Sequence, residues 1–363
     1  MKILFDIGHP AHVHLFKYSI LQLKNNGHIV LITIKDEPII RKLLDHYKFE
    51  YILIGKKGKG NIQKGFKQVW FTLNILYIFW KNKIDLAVGV SISIAQASLF
   101  VKTKSMVFDD DDTTATPVFA ALSHTFANHV FSPASLRNTR KRAKDIFHDS
   151  FHELAYLYPT RFSPDKGILK MFGINADDYY SIIRFSALKA HHDIGERGIN
   201  HEQASIIIRR LEKKGKVLIT SENELPVEYK KYQLKINPSH FHDVLAFANI
   251  LVCDSQTVAA EAAVLGVPSV RINSFVGRIS YLEELEYKHR LTFGFNPENF
   301  NQAIEKIQTL ISDSKSYEIF QKRRRKMLSE KIDLTAFIIR FIENYPHSAE
   351  ELKSNLEYKN NLR

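Results

Sequence analysis

Short apolar runs alternate with amphipathic stretches along most of the chain, beginning at its second residue. Runs rich in Ile, Val, Leu and Phe predict buried strands, and the segments between them have helical spacing. This alternation predicts parallel sheets covered by helices on both faces. In the first half the pattern predicts helices at 11–26 and 38–47 and strands at 2–7, 28–34, 50–54, 84–90, 104–108 and 128–131.

The alternation weakens between about residues 132 and 178, where 156–159 and 162–164 are typical of a linker. It then restarts, with predicted strands at 180–185, 216–220, 232–236, 249–253 and 269–272, helices at 201–214, 239–246 and 256–265, and a helical region from 297. We therefore expect an α/β protein of two doubly wound, Rossmann-like domains that face a central cleft. The expected domains are 1–160 and 161–345, followed by a polar tail at 346–363.

The composition supports this picture and narrows the class of protein. The chain has 363 residues, of which 45% are apolar and 25% charged, as in a globular protein with a real core. Disordered, collagen-like and coiled-coil chains are excluded. One cysteine, Cys253, rules out an internal disulfide framework and fits a reducing compartment. The first residues lack a signal-peptide pattern, so we expect a cytoplasmic protein.

The most informative candidate site follows the predicted strand at 249–253. The strand ends at Asp254, and Ser255 is a favourable N-cap for the alanine-rich helix that follows. The free N–H groups at the start of that helix suit a phosphate or diphosphate. Thr257 and Glu261 share one helical face, and Glu261 could accept hydrogen bonds from a ribose diol. The alternative is that Ser255 only caps the helix and Glu261 forms a salt bridge.

Two segments resemble known proteins. The pattern Asp-Ser-x-Thr-x-x-x-Glu-Ala-Ala-x-Leu-Gly-x-Pro, residues 254–268, resembles the donor-nucleotide segment of GT-B-fold proteins. These include the glycosyltransferase of lipid II synthesis and the non-hydrolysing nucleotide-sugar 2-epimerases. The opening segment at 5–16, Phe-Asp-Ile-Gly-His-Pro-Ala-His-Val-His-Leu-Phe, resembles a GT-B-like family, the domain of unknown function 354. The matching segments span residues 1 to about 286.

The resemblance implies roles for individual residues of the second half. The N-terminal turn of the helix would hold the diphosphate of a nucleotide-sugar, and Glu261 would hold the ribose hydroxyls. Arg184 and Arg271, at the ends of two predicted strands, would lie near the same phosphates, with solvated surface as the alternative for each. The residues expected to bind the donor are Arg184, Ser255, Gln256, Thr257, Glu261 and Arg271.

The histidines after the first strand suggest chemistry of their own. His12 falls in the first turn of a helix and is expected to point into the cleft, with His9 and His14 nearby. A neutral imidazole there could act as general base on an acceptor hydroxyl or could hydrogen-bond a departing phosphate. No carboxylate pattern typical of a metal site accompanies the three histidines, so we expect no metal.

Four consecutive acids, residues 109–112, follow the predicted strand at 104–108. They could bind Mg²⁺, or they could simply complement the dipole of the next helix, which is the simpler explanation. We also consider that Asp109 or Asp112 acts as a base, and Asp112 is the second candidate after His12. His192, in a polar loop of the second half, could reach toward the sugar.

The chain carries a net charge of +12, and its clearest basic segment is 56–83. The apolar stretch at 69–80 is shorter than the ~18 residues needed to span a bilayer. Lysines at both ends and Trp70 and Trp80 suit a helix in the headgroup plane of an anionic membrane, and a crossover helix buried on the sheet is the alternative. No recognised nucleic-acid fold is present, so we expect no nucleic-acid partner.

The expected function is that of a metal-independent glycosyltransferase in surface polysaccharide synthesis. It would move a hexose from a nucleotide-sugar to a glycan or a polyprenyl-linked acceptor, without a cofactor, in the cytoplasm or at the inner membrane face. A nucleotide-sugar 2-epimerase is one alternative. Epimerases of this fold resemble one another in carrying an acid just after the fourth strand, whereas here the fourth predicted strand ends in Val90-Ser91, which supplies no acid. A non-catalytic nucleotide-binding protein is another alternative.

Overall fold

The computed structural model describes residues 1–56, 58, 61–140, 142, 144–175, 177–186, 198–221 and 223–354. The first stretch of chain forms β1 (Lys2–Ile7), α1 (Pro10–Asn25), β2 (Ile29–Lys35), α2 (Pro38–His46), β3 (Ile52–Gly55), α3 (Asn61–Asn82), β4 (Leu86–Gly89), α4 (Ile92–Ala97), β5 (Lys104–Phe108), α5 (Pro117–Ser123), β6 (His129–Pro133), β7 (Asp145–His148) and α6 (Leu154–Leu157). The remaining elements are α7 (Gly167–Lys170), β8 (Tyr180–Phe185), α8 (His201–Glu212), β9 (Lys216–Ser221), α9 (Phe241–Ala246), β10 (Ile250–Cys253), α10 (Gln256–Leu265), β11 (Ser269–Ile272), α11 (Ser280–Glu283), β12 (Thr292–Phe295), α12 (Phe300–Ser312), α13 (Ser316–Glu330), α14 (Leu334–Glu343) and α15 (His347–Ser354).

The chain forms two compact units, each with its own sheet. The first unit, residues 1–161 and 331–363, holds a seven-stranded sheet of order β3-β2-β1-β4-β5-β6-β7. All of its strand pairs are parallel. The carboxyl ends of its strands therefore share one edge, where ligands bind in sheets of this kind.

The second unit, residues 162–330, holds a five-stranded parallel sheet of order β12-β11-β10-β8-β9. Its core includes Ile183 and Phe185 of β8, Val252 of β10, and side chains from α8 and α12. β10 is central and is buried along its whole length. This arrangement confirms the predicted α/β class with two Rossmann-like units.

Three elements differ from the sequence-based expectation. Residues 232–236 do not form a strand; a 3₁₀ helix, Val227–Tyr232, precedes a single bridge from Gln233 to Ile219. β7 and β12 are four-residue strands that the pattern did not reveal, because their sequences, DIFH and TFGF, contain too few apolar residues to stand out.

The chain returns to the first unit after Glu330, whereas residues 161–345 were expected to form one domain. The cause is the apolar face of α14, which packs against α1 and α6. Phe341 stacks edge-on against Phe131 of β6, with ring centroids 4.8 Å apart. Beyond residue 345, where a polar tail was expected, the chain continues as helix α15.

Candidate functional site

The junction between β10 and α10 in the second unit has the form that the sequence predicted. The strand ends at Cys253, and the side-chain oxygen of Ser255 accepts a hydrogen bond from the backbone N–H of Val258. Gly266 ends the helix in the left-handed conformation, with φ of 73°. Residues 255–258 are half-buried, so the N–H groups of the first helical turn lie at the carboxyl edge of a central strand.

Asp254 ties this junction to the neighbouring strands. Its carboxylate accepts from the amide of Ser186 at 2.6 Å, and its carbonyl accepts from the side-chain amide of Asn273 at 2.8 Å. Burial raises the pKa of Asp254 to about 6, although the hydrogen bonds from Ser186 and the charge of Arg184 oppose the shift. A Cβ on Gly198 would lie 2.6 Å from the carboxylate, so a side chain at 198 would displace it.

The two predicted arginines occupy different environments. Both Arg184 and Arg271 lie opposite Cys253 in the sheet register, one on each side of β10. Arg184 is half-buried at the end of β8, where its positive charge acts to lower the pKa of Asp254. Arg271 has no exposed surface, and burial lowers the pKa of its guanidinium. A phosphate bound at the surface can therefore approach Arg184. Arg271 is buried, donates to the side-chain oxygen of Asn273 at 3.4 Å, and is not placed to contact such a phosphate.

Glu261 is not at the surface. It is 4% exposed, and its Oε1 lies 2.9 Å from Nε2 of His242 on α9, which is also buried. The salt-bridge alternative from the sequence is thus realised in the structure. The expected ribose contact remains a prediction.

In the first unit, the N-terminus of α1 fixes the state of His12. The exposed His9 caps the helix by accepting from the amide of Ala11 at 3.2 Å. The amide of Gly8 donates to Nδ1 of His12 at 3.3 Å, so the ring proton resides on Nε2. Burial, together with the nearby His9 and His152, holds the pKa of His12 well below its ordinary value.

His12 is therefore a neutral hydrogen-bond donor. With Nδ1 already accepting and Nε2 protonated, the ring has no free lone pair for a proton, and the general-base role does not fit this geometry. Donation to a departing phosphate, the other role considered from the sequence, does fit. His14 is placed away from any such role: it is buried, and its ring packs 5.3 Å from that of Tyr156 on α6.

Among the four acids after β5, Asp109 and Asp112 are buried. The carboxylate of Asp109 contacts Nη2 of Arg140 at 2.5 Å and Nε2 of His124 at 2.9 Å. The carbonyl of Asp112 accepts from the amide of Ala115 at 2.8 Å and so closes the turn before α5. The carboxylate of Asp109 thus pairs with the buried guanidinium of Arg140. Asp112 is too buried for the role of base that the sequence suggested.

Asp110 forms an ion pair that the sequence did not reveal. Its Oδ2 lies 3.1 Å from Nδ1 of His152, which follows β7. Burial alone would raise the pKa of Asp110 and lower that of His152, but their charges and shared hydrogen bond outweigh burial, so the pKa of Asp110 falls and that of His152 rises. Each partner thus favours the charged form of the other. Recognising β7 would have revealed His148 and His152, four residues apart at the end of a strand.

Asp111 is the strongest candidate for a base. Its side chain is half-buried, and burial together with the charges of Asp110 and Asp109 raises the pKa of Asp111 to about 7. A carboxyl group with this pKa is divided between its two states near neutral pH, as a general base requires. The edge thus combines a base at Asp111, a histidine of raised pKa at His152 and a donor at His12.

Two further expectations concern metals and His192. Across the described residues, no group of three or more His, Cys, Asp or Glu side chains could hold a metal ion. His192 lies outside the described residues, so its predicted approach to the sugar stays a prediction.

The two Rossmann-like units, each with polar groups at the carboxyl edge of its sheet, define the GT-B class of fold. The model of the family described as Protein of unknown function (DUF354) matches residues 1–345. The chain therefore belongs to this family, as the opening segment suggested. Among curated proteins, none matches the chain in sequence.

Solved structures share the fold over nearly the whole chain. The UDP-GlcNAc 2-epimerase of Neisseria meningitidis, bound to UDP-GlcNAc, is 15% identical with a TM-score of 0.68, covering 94% of this chain and 100% of its own. The S. aureus MnaA–UDP structure is 12% identical with a TM-score of 0.68, covering 96% and 97%. The glycosyltransferase VinC, in complex with dTDP, is 9% identical with a TM-score of 0.60, covering 97% and 100%. At these identities the likeness establishes the fold.

Proposed function

We propose that the protein is a glycosyltransferase that moves a hexose from a nucleotide-sugar to a hydroxyl of a glycan or polyprenyl-linked acceptor. The observation that carries the proposal is the half-buried N-terminus of α10 at the edge of β10, with Arg184 beside it. A helix N-terminus and a guanidinium together suit a diphosphate. Support comes from neighbours of the same fold that hold UDP-GlcNAc and dTDP.

In this proposal the second unit binds the donor. Ser255, Gln256 and Thr257 present their backbone N–H groups to the diphosphate, and Arg184 offsets its charge. Glu261, one turn further along α10, accepts hydrogen bonds from the ribose hydroxyls. The side chain of His242, with its Nε2 2.9 Å from Oε1 of Glu261, holds the carboxylate in place.

The first unit binds the acceptor and moves the proton. Asp111 takes the proton from the acceptor hydroxyl, which turns the oxygen into a nucleophile for the sugar carbon. The bond from that carbon to the diphosphate breaks, and the diphosphate leaves with the negative charge, which the N–H groups of the first turn of α10 stabilise. His152, whose pKa is raised by Asp110, holds the carboxylate of Asp110 at the same edge.

A nucleotide-sugar 2-epimerase is the second candidate, and the acids after β5 favour it. β4 is followed by Val90 and Ser91, neither of which is an acid. The hydroxyl of Ser91 instead donates to the carboxylate of Asp6 at 2.5 Å. Asp110 and Asp111, one strand further along the sheet, supply carboxylates that could remove a proton from carbon.

Incubation with the nucleotide-sugar alone in D₂O separates the two functions. For a glycosyltransferase we expect the sugar to remain free of deuterium at C2 and to be consumed only when an acceptor is added. Deuterium at C2 without acceptor, detected by NMR, would establish the epimerase instead. Tight binding with no turnover on a panel of acceptors would favour the non-catalytic binding protein.

The role of Glu261 can be tested with a matched pair of variants. We expect Glu261→Gln to weaken UDP-sugar affinity about tenfold or more, because a hydrogen bond to a charged group is lost. His242→Gln removes the imidazole but keeps the carboxylate and leaves an N–H group that can donate to it, so the affinity of this variant should change much less. Calorimetric titration measures the affinities, and urea unfolding measures stability. Equal destabilisation of both variants without a loss of affinity would show that Glu261 is only a packing partner of His242.

A further inference from the structure

Helix α3 is apolar on two opposite faces. One face, with Phe71, Ile75 and Phe79, is buried in the core of the first unit. The other consists of six large side chains that are each more than half exposed: Phe66, Val69, Trp70, Leu73, Tyr77 and Trp80. A crossover helix that packs only on its own sheet would present polar residues to water. The sequence alternative of a helix buried on the sheet thus accounts for only one of its faces.

The six exposed residues form one stripe. At 100° per residue they fall within about 100° of the helix circumference, on the side opposite Phe71 and Ile75. From Phe66 to Trp80 the stripe is about 21 Å long. Nearby, α4 packs against both α3 and α5, and further apolar side chains are exposed at Phe100 just after α4 and at Val118 on α5. A large exposed apolar surface of this kind marks an interaction site.

The charges around the stripe favour an anionic surface. From residue 51 to 84 the sequence contains seven lysines and no acid. Lys56 precedes the helix with a side chain that is 79% exposed. Lys81 and Lys83 are exposed at its other end. Tryptophan, which pairs an apolar ring with an N–H group, favours the level of the lipid headgroups.

We propose that α3 docks the first unit onto an anionic lipid bilayer, with the helix lying in the plane of the headgroups. The six apolar side chains enter the boundary of the acyl chains, and the flanking lysines contact anionic headgroups. Within the described part of the chain, no helix is long and apolar enough to cross a membrane. This docking needs neither the donor nor an acceptor and stands apart from the proposed reaction.

The two tryptophans make the proposal directly measurable. Trp70 and Trp80 are the only tryptophans in the chain, and both belong to the stripe. With phosphatidylcholine vesicles that contain phosphatidylglycerol, we expect the full-length protein to show a blue shift of tryptophan emission and quenching by brominated acyl chains. Vesicles of phosphatidylcholine alone, or high salt, should reduce both effects, because the charge attraction is lost or screened.

A double variant keeps the reporters and removes part of the stripe. Leu73→Gln with Tyr77→Gln should lower the vesicle partition coefficient about tenfold or more, as expected for losing buried apolar surface. The matched control, Met171→Gln with Val227→Gln, changes two apolar residues of the second unit that are even more exposed and should leave partitioning unchanged. Circular dichroism checks that both variants fold.

Two results would overturn the proposal. One is emission that stays the same on every vesicle composition. The other is a blue shift that appears without lipid as protein concentration rises, together with a dimer in sedimentation, because a second copy of the chain would then cover the stripe. Neither result depends on nucleotide binding or turnover, so failure here is distinct from failure of the proposed reaction.

Discussion

Asp111→Asn is expected to lower turnover by about 10²–10⁴-fold, the usual contribution of a general base, with nucleotide affinity unchanged. The amide keeps the shape of the side chain but cannot take a proton. Kinetics with a matched donor and acceptor would measure kcat, and titration with the nucleotide would measure affinity. Asp112→Asn is the control, since Asp112 is the buried neighbour that the sequence suggested as base. Loss of turnover in Asp112→Asn alone would assign the base to Asp112.

The pH dependence gives an independent check on Asp111. Because its pKa is raised to about 7, the carboxylate form grows as the pH rises through 7, and kcat should rise with it. The effect on stability has the opposite sign. The folded chain holds this proton more tightly than the unfolded chain, so stability falls as the pH rises from about 4 to about 7. In Asp111→Asn both dependences should flatten, and a kcat that falls through this range would contradict the assignment.

Arg140→Met is expected to destabilise the protein by about 3–5 kcal/mol, the cost of leaving a buried charge without its partner. The guanidinium is buried and donates to the carboxylate and carbonyl of Asp109, to the hydroxyl of Ser132 and to the carbonyl of Asp111. Removing it leaves the buried carboxylate of Asp109 without its guanidinium partner. Urea unfolding followed by circular dichroism measures the loss.

Two controls separate the buried charge from other effects of replacing Arg140. Adding Asp109→Asn to Arg140→Met removes the stranded carboxylate and should restore part of the lost stability. The exposed Arg142→Met makes the same chemical change at the surface and should alter stability by less than about 0.5 kcal/mol. A loss of similar size in Arg140→Met and Arg142→Met would contradict the role assigned to Arg140.

The sequence predicted what depends on local pattern. The strand ending at Cys253, the cap at Ser255 and the helix end at Gly266 are encoded within a few consecutive residues, and the structure has all three. The parallel sheets likewise follow from the alternation of apolar runs. The short strand β7 was not predicted because only its two central residues, Ile146 and Phe147, are apolar, and His152, which follows it, was therefore not placed at the edge of the sheet.

The candidate site depends on pairings between distant residues, which a single sequence does not reveal. Asp109 meets Arg140, 31 positions away, and Glu261 meets His242, 19 positions away. These contacts decide which of several adjacent acids is neutralised and which is available. The tautomer of His12 was equally hidden, since it depends on one hydrogen bond from the amide of Gly8.

The central claim is that a nucleotide-sugar binds at the N-terminus of α10, and calorimetric titration with UDP-GlcNAc and dTDP-glucose tests it most directly. We predict saturable binding of at least one of these ligands. Thr257→Glu, which adds a negative charge in the first turn of α10, should weaken that binding about tenfold or more. Thr309→Glu, the same change at an exposed position on α12, should leave binding unchanged. Absence of binding to both ligands, or equal affinity in Thr257→Glu and the unmodified chain, would contradict the account.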